Sequence, residues 1–361
     1  MKILYLITKS EAGGAQTHVK QLSEYFSKNN EVAIMSDGNG WLFEEAQKIG
    51  VKFFVNKYFS NSLNPVHLVR SMIEIKNVVN EYRPGIIHCN SSLAAFLGRI
   101  VVRNKIPTIY TAHGWGFNIG VSPVQKFLAV LGERIVSRYC SKIICVSKFV
   151  KDLAVKYEIA SGDKFIVIYN GVEIGIDRDI IYDDKIKLVF VGRLARPKKP
   201  MLLLQTLNQL PDDIKNNIEL NIIGDGIQKD ALENYIKNNK LVNVNLLGAL
   251  PRHKVIDILK QSHVLVFLSE WEGFPYVILE AMSLGIPVIS SDVGGIKEVV
   301  DDDCGFLLKS DNDLKDVLLA IVDDHIVVKN KGVISRNKIL NNFSMEKMLS
   351  QTETVYKELM I

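Results

Sequence analysis

Short runs of apolar, β-branched residues alternate along this chain with longer stretches in which apolar positions recur every three or four residues. The first pattern suits strands buried on both faces, and the second suits helices with one apolar stripe. In the first half the apolar runs at 3–7, 32–35, 51–55, 85–88, 107–111, 142–146 and 165–169 predict strands. Between them a Gly13-Gly14-Ala15 turn opens a helix through Val19, Leu22 and Phe26, and 65–82 and 122–139 carry helical spacing. A polar, irregular stretch, 170–184, interrupts the rhythm and marks a domain boundary. Strands then recur at 186–191, 220–223, 244–246, 264–267, 287–290 and 305–307. The end, 344–360, is predicted helical, with Ser344 as N-cap and Glu346 or Lys347 in the first turn. Strand–helix alternation of this kind predicts an α/β protein: two Rossmann-like, doubly wound domains, 1–172 and 173–343, facing a cleft.

The stretch 269–300, SEWEGFPYVILEAMSLGIPVISSDVGGIKEVV, organises the second domain. The apolar run before it ends at a loop holding Glu270, Glu272 and Gly273. Pro275 is expected in the first turn of the next helix, where a missing N–H costs nothing. That helix turns Val277, Ile278, Ala281 and Met282 inward, Gly285 ends it, and Pro287 prevents its continuation. Glu272 and Glu280 stand eight positions apart, one on the loop and one in the helix. A helix N-terminus suits a phosphate, and a carboxylate accepts from two vicinal hydroxyls, so one loop can hold a phosphate between two polyols. A nucleotide sugar has that form. The plainer reading makes Glu280 a first-turn residue favoured by the helix dipole and Glu272 a solvated loop residue.

Two further loops follow predicted strands. Gly192-Arg193-Leu194, with Lys198 and Lys199 close behind, sets cations where a departing diphosphate would gain charge. A solvated basic loop is the plainer alternative. His113, in TAHGWGF, follows the strand that ends at Thr111 and is a candidate to face a ligand. Gly13-Gly14 allows close approach of backbone to a ligand, although a Gly-Gly turn is more often only a turn. No G-x-G-x-x-G stands here or at Gly224-Asp225-Gly226, so the dinucleotide fingerprint is absent. No HExxH, Cys/His cluster or Asp-x-Asp after a strand signals a metal.

Composition narrows the class. With 361 residues, 47% hydrophobic and 23% charged, the chain is that of an ordinary globular protein of two domains. The opening MKILYLITKS has too short an apolar core for a signal peptide or a membrane span. Cys89, Cys140, Cys145 and Cys304 form no C-x-x-C pair, so buried thiols in a reducing compartment are expected. The net charge of +4 is uneven: 22 Lys/Arg against 15 Asp/Glu in 1–180, and 22 against 25 in 181–361. Within 99–151 nine basic residues face one acid, Glu133. Such a face favours anionic surfaces or substrates. Nucleic acid is not expected, because no binding module accompanies the charge. The 122–139 stretch has Val124, Phe127, Leu128, Leu131 and Ile135 on one stripe, with Lys126, Arg134 and Arg138 nearby. It reads first as a core-facing helix and second as a helix lying on an anionic membrane.

EGFPYVILEAMSLGIPVIS followed by DVGGIKEVV resembles the C-terminal signature of retaining family 4 glycosyltransferases of the GT-B fold, and Gly-Arg-Leu with a Lys five residues after the Arg extends the likeness. The resemblance spans nearly the whole chain and is strongest over 192–300. It implies transfer of a sugar from a nucleoside diphosphate sugar to a hydroxyl acceptor, with no metal or other cofactor. It implies that Glu280 binds the donor ribose and that Glu272 contacts the transferred sugar or lies beside it. Arg193 and Lys198 would hold the diphosphate beside Gly192. Gly273, Phe274, Pro275 and Tyr276 would line the pocket through their backbone, Pro275 standing where many members have Gly. His113 and the Gly13-Gly14 loop would lie near the sugar and acceptor. Asn170-Gly171-Val172 is similar to the family hinge, with Glu173 replacing its Asp. The last helix, 344–361, would return to the N-terminal domain. The family's implied course is a front-face substitution in which the leaving phosphate helps deprotonate the acceptor. The basic first half makes a lipid-linked saccharide of bacterial surface polysaccharide the expected acceptor, with the enzyme cytoplasmic and peripheral on the inner membrane face. A GT-B nucleotide-sugar epimerase and a non-catalytic nucleotide-sugar-binding subunit are the alternatives.

Overall fold

The computed structural model describes residues 1–60, 64–117, 120–174 and 185–360. Part of the predicted boundary stretch, 175–184, thus lies outside the described residues. The chain forms two compact units, Met1–Asn170 with Glu346–Ile361, and Gly171–Met345.

The first unit is built on a seven-stranded sheet of order β3-β2-β1-β4-β5-β6-β7. Its strands are β1 (Lys2–Leu6), β2 (Glu31–Ser36), β3 (Lys52–Val55), β4 (Ile86–Cys89), β5 (Thr108–Ala112), β6 (Lys142–Cys145) and β7 (Phe165–Val167). Every pairing is parallel. All residues of β4 and β5 are buried, so neither strand alternates exposed and buried positions, and their polar members His88, Thr108 and Thr111 are buried with the rest. The chain order reverses beside β1, which pairs with both β2 and β4. The last helix, Met345–Glu358, belongs to this unit. A buried polar chain pins it: the Tyr356 hydroxyl lies 2.6 Å from His88 Nδ1 and donates to the Tyr5 hydroxyl at 3.2 Å, while His88 Nε2 lies 2.6 Å from Thr111 Oγ1.

The second unit has a six-stranded sheet of order β10-β9-β8-β11-β12-β13, again wholly parallel. Its strands are β8 (Ile186–Val191), β9 (Ile218–Ile223), β10 (Val244–Gly248), β11 (Val264–Phe267), β12 (Val288–Ser291) and β13 (Gly305–Leu308). Leu188, Phe190, Leu203, Leu220, Val266 and Leu318 are part of its buried core. The order reverses between β8 and β11, and ligands of open parallel sheets bind at such a reversal, beyond the strands' carboxyl ends. Two parallel, doubly wound sheets, each with connecting helices, are the architecture expected from the alternation.

Several local expectations are corrected. Pro275 is the N-cap of the helix Tyr276–Ser283, one place before its first turn, with extended backbone at φ −76° and ψ 129°. Glu280, four residues after the first helical residue Tyr276, lies in the second turn, so the first-turn reading does not hold. Tyr276 and Leu279 join Ile278, Ala281 and Met282 as buried residues, while Val277 is only half-buried. β12 begins at Val288 because Pro287 has no N–H; its carbonyl still accepts from the Leu265 N–H at 3.1 Å.

The largest correction concerns the helix Pro123–Ser137. A core-facing stripe was one expectation, yet Val124, Phe127, Leu128, Leu131 and Ile135 are all exposed. The face turned inward carries Glu133, Val136 and Ser137. Glu133 makes a 2.8 Å ion pair with Arg99, whose side chain is fully buried and also donates from Nε to the Ala95 carbonyl. One buried charge pair thus fixes the helix with its apolar stripe outward.

Candidate active site

In the second unit the loops that follow β8 and β11 are laced together, because these strands are neighbours at the reversal. The Lys199 N–H donates to the Leu268 carbonyl and the Glu270 N–H to the Pro197 carbonyl, while Lys198 and Ser269 form an antiparallel bridge. This brings Lys198 against Glu272, 74 positions away in sequence: the ammonium donates to Glu272 Oε1 at 2.5 Å. The same oxygen accepts from Ser269 Oγ at 2.7 Å. The Lys198 ammonium also stands over the Phe267 ring, 3.5 Å from its centroid, a cation–π contact. Only 13% of the Lys198 side chain is exposed. Burial holds its amine below the ordinary lysine range, Glu272 opposes that shift, and nearby Arg193 adds to it. Arg193 is exposed, and no ion pair engages it among the described residues.

Two close approaches hold these loops and require glycine. Gly294 has φ +60°, and a Cβ there would fall 1.9 Å from the Glu272 carbonyl oxygen. Gly224, at φ +147°, sits equally close to the Gly192 carbonyl. The Gly224-Asp225-Gly226 turn, without a dinucleotide fingerprint, thus supports the Arg193 loop: the Leu194 N–H donates to the Asp225 carbonyl at 2.9 Å. A Cβ at Gly192 would come within ordinary contact distance of the Lys198 side chain.

Beyond Glu272, Gly273 and Phe274 are buried, and Phe274 packs 5.3 Å from the Phe343 ring. No side-chain hydrogen bond caps the helix that starts at Tyr276, and the partial positive charge of its N-terminus favours an anion. Glu280 accepts from Arg252 Nη2 at 2.6 Å. The Tyr276 phenol is buried beside this pair, and burial raises it above its ordinary range. Lys199 is drawn away to Asp311, 2.8 Å from each carboxylate oxygen.

In the first unit His113 follows β5, and its Nε2 is buried with no partner among the described residues. Its ring packs edge-on against His18 at 5.0 Å, and burial lowers its pKa to about 4, so the ring is neutral. Gly13 is the N-cap and Gly14 the first residue of the helix Gly14–Phe26. Beside them, at the reversal between β1 and β4, lies a cavity of about 330 Å³ lined by Ile7, Thr8, Lys9, Ala15, Gln16, Ser91, Ser92 and Leu93. Among the described residues no group of three or more His, Cys, Asp or Glu side chains gathers where a metal ion could sit.

Sequence reading overlooked Ser269, Arg252 and His88. Ser269 stands two residues after the end of β11, a usable signal. Arg252 offers none, since its partner lies 28 positions away on another helix.

Two doubly wound units, each on a parallel sheet with an order reversal, are the GT-B architecture, and the chain belongs to the family 4 glycosyltransferases. The family model described as Glycosyltransferase Family 4 matches residues 12–175, and the one described as Glycosyl transferases group 1 matches 176–337. The O-antigen biosynthesis glycosyltransferase WbnH of Escherichia coli is 24% identical over 344 residues, covering 94% of this chain and 96% of that protein. The UDP-Gal:alpha-D-GlcNAc-diphosphoundecaprenol alpha-1,3-galactosyltransferase of Escherichia coli is 29% identical over 340 residues, covering 86% and 84%. The crystal structure of Anabaena HepE in complex with UDP and glucose superposes with a TM-score of 0.84 at 19% identity, covering 99% of this chain and all of that one. At that identity the likeness concerns the fold. The chain is a glycosyltransferase.

Proposed function

We propose that this glycosyltransferase moves a sugar, with retention at the anomeric carbon, from a nucleoside diphosphate sugar to a hydroxyl of a lipid-diphosphate-linked saccharide in surface-polysaccharide assembly. The observation that carries this reading is the Lys198–Glu272 pair at the β8/β11 reversal, with Arg193 beside it and an uncapped helix N-terminus beyond. In the reaction the bond from the sugar's C1 to the β-phosphate oxygen breaks, and its electron pair leaves with the diphosphate. The acceptor oxygen bonds to C1 on the same face, and its proton passes to a diphosphate oxygen. Arg193 and Lys198 stabilise the charge that grows on the leaving group, a gain larger in the transition state than in the ground state. Glu272 accepts from sugar hydroxyls, Glu280 accepts from the ribose, and the backbone at Gly192, Gly273, Phe274, Pro275 and Tyr276 lines the diphosphate and sugar. In the first unit, His113 or the backbone beside it meets a sugar hydroxyl, and the Gly13-Gly14 loop admits the sugar and acceptor. No metal or cofactor is assigned a part.

A UDP-hexose is the first donor to test, since the galactosyltransferase relative is named for UDP-Gal and a diphosphoundecaprenol-linked acceptor. Incubation with radiolabelled UDP-hexoses and a polyprenyl diphosphate-linked N-acetylhexosamine should move label into the lipid phase. Label retained in an isomerised nucleotide sugar would assign an epimerase instead. Binding with neither outcome would assign a silent subunit.

The same reading includes peripheral attachment to an anionic membrane through the first unit. Among the described residues no helix is long and apolar enough to cross a bilayer. The outward stripe of the helix Pro123–Ser137 is joined by exposed Val66, Val69 and Ile73 on the helix Pro65–Tyr82. Right-handed crossovers set both helices on one face of the sheet, on either side of the helix Ser92–Val102. Arg70, Arg103, Lys105, Lys126 and Arg138 belong to these helices or their ends. Apolar burial and attraction to anionic lipid, about 1 kcal/mol per basic side chain near the surface, would act together.

A further inference from the structure

The helix Arg252–Gln261 opens with a cation, which its dipole disfavours at that end. The partner that offsets this is Glu280, on the helix Tyr276–Ser283, reached by Arg252 Nη2 at 2.6 Å. We infer that Arg252 is a positioning residue for the ribose end of the donor: it fixes the rotation of the Glu280 carboxylate so that Oε2 faces the ribose hydroxyls. This rests on the reading of Glu280 as the ribose carboxylate.

Glu280 is held at its stem, with only 12% of the side chain exposed and Ile278, Leu279, Ala281 and Met282 around it buried in the same helix. Its terminal torsion remains broad and two-fold, so packing of the stem does not decide which way the oxygens point. A charge-assisted bond to one oxygen does. Arg252 takes that bond end-on, through one nitrogen to Oε1, whereas a bidentate clasp would occupy both oxygens and close the carboxylate to a ligand. Oε2 has no partner among the described residues. The Arg252 side chain is 41% exposed, against 12% for Glu280.

The test compares UDP with 2′,3′-dideoxy-UDP by calorimetry on the full chain. Wild type should prefer UDP by about tenfold or more, the worth of charge-assisted hydrogen bonds to the ribose. Glu280→Gln should abolish most of that preference, and Arg252→Ala should do the same although it removes no ribose contact. The double variant should lose nothing further, since both changes remove one unit. Arg252→Lys, a point cation without the fork, should keep part of the preference. A ribose preference that survives in Arg252→Ala but falls in Glu280→Gln overturns the role of Arg252 and leaves Glu280 in place. Equal loss of UDP and dideoxy-UDP binding in Arg252→Ala overturns it as well. A wild type that treats the two nucleotides alike removes the ribose role of Glu280, and this inference with it. Thermal unfolding of each variant separates these effects from loss of fold.

Discussion

Glu272→Gln tests the central pair, because it removes one charge while keeping shape. Glu272 Oε1 takes two bonds, from Lys198 at 2.5 Å and from Ser269 at 2.7 Å, and a glutamine carbonyl can still accept both. What is lost is the difference between a charged and a neutral acceptor. Hydrogen bonds to charged groups contribute about 1.5–3 kcal/mol and neutral ones about 0.5–1.5, so the variant should lose about 1–1.5 kcal/mol at neutral pH. Glu272→Ala leaves no acceptor and should lose about 1.5–3 kcal/mol. Removing both charges, with Lys198→Met beside Glu272→Gln, should recover much of the loss, since no unpaired buried ammonium then remains. A pH effect follows with a definite sign. Burial already sets the folded-state Lys198 below its unfolded value, so the folded chain gains stability as pH rises through the folded value. Without Glu272 the amine falls further, and both this gain and the alkaline loss of turnover should begin at lower pH. Urea unfolding of the second unit and a pH profile of kcat read the two effects. Unchanged stability in Glu272→Ala together with an unmoved alkaline limb would refute the argument that Glu272 keeps Lys198 cationic.

Lys198→Ala should lower kcat more than it weakens binding of intact donor, and a rise confined to KM would make Lys198 a ground-state anchor. Burial lowers His113 to about 4 and His88 to about 3, and lowers His18 as well. Each therefore favours the folded state fully above pH 6.5 and withdraws that support as pH falls toward its folded value, by about 1.4 kcal/mol per pH unit. Hydrogen exchange of β1 and β4 should accelerate between pH 6.5 and 4.5 beyond its intrinsic trend, and constant protection would contradict the buried neutral state. Phe127→Glu with Leu128→Glu, at positions 65% and 59% exposed, should release the protein from anionic vesicles without unfolding it. Flotation at low salt reads this, and a wild type that does not float would remove the membrane face. These positions are better probes than Arg134, which is tied to Glu158 at 3.1 Å.

The sequence by itself determined the architecture and the family. The strand 264–267 is legible because a strand buried on both faces is an unbroken apolar run, whatever surrounds it. The strand–loop–helix at 264–283 is likewise local: β-branched run, polar loop, proline, then helical spacing. The Gly294 and Gly224 turns were visible only as glycines, because the backbone each must admit lies elsewhere in the chain. Tertiary structure alone decided which charges meet. Lys198 reaches Glu272, Arg252 reaches Glu280 and Lys199 goes to Asp311 because strand order, not sequence order, sets the neighbours. It also decided which way the helix Pro123–Ser137 faces. Periodicity reveals that a helix has an apolar stripe, but the side turned to the core depends on what waits there. Here that is the buried Arg99 guanidinium, which takes Glu133 inward and leaves Phe127 and Leu128 to the outside.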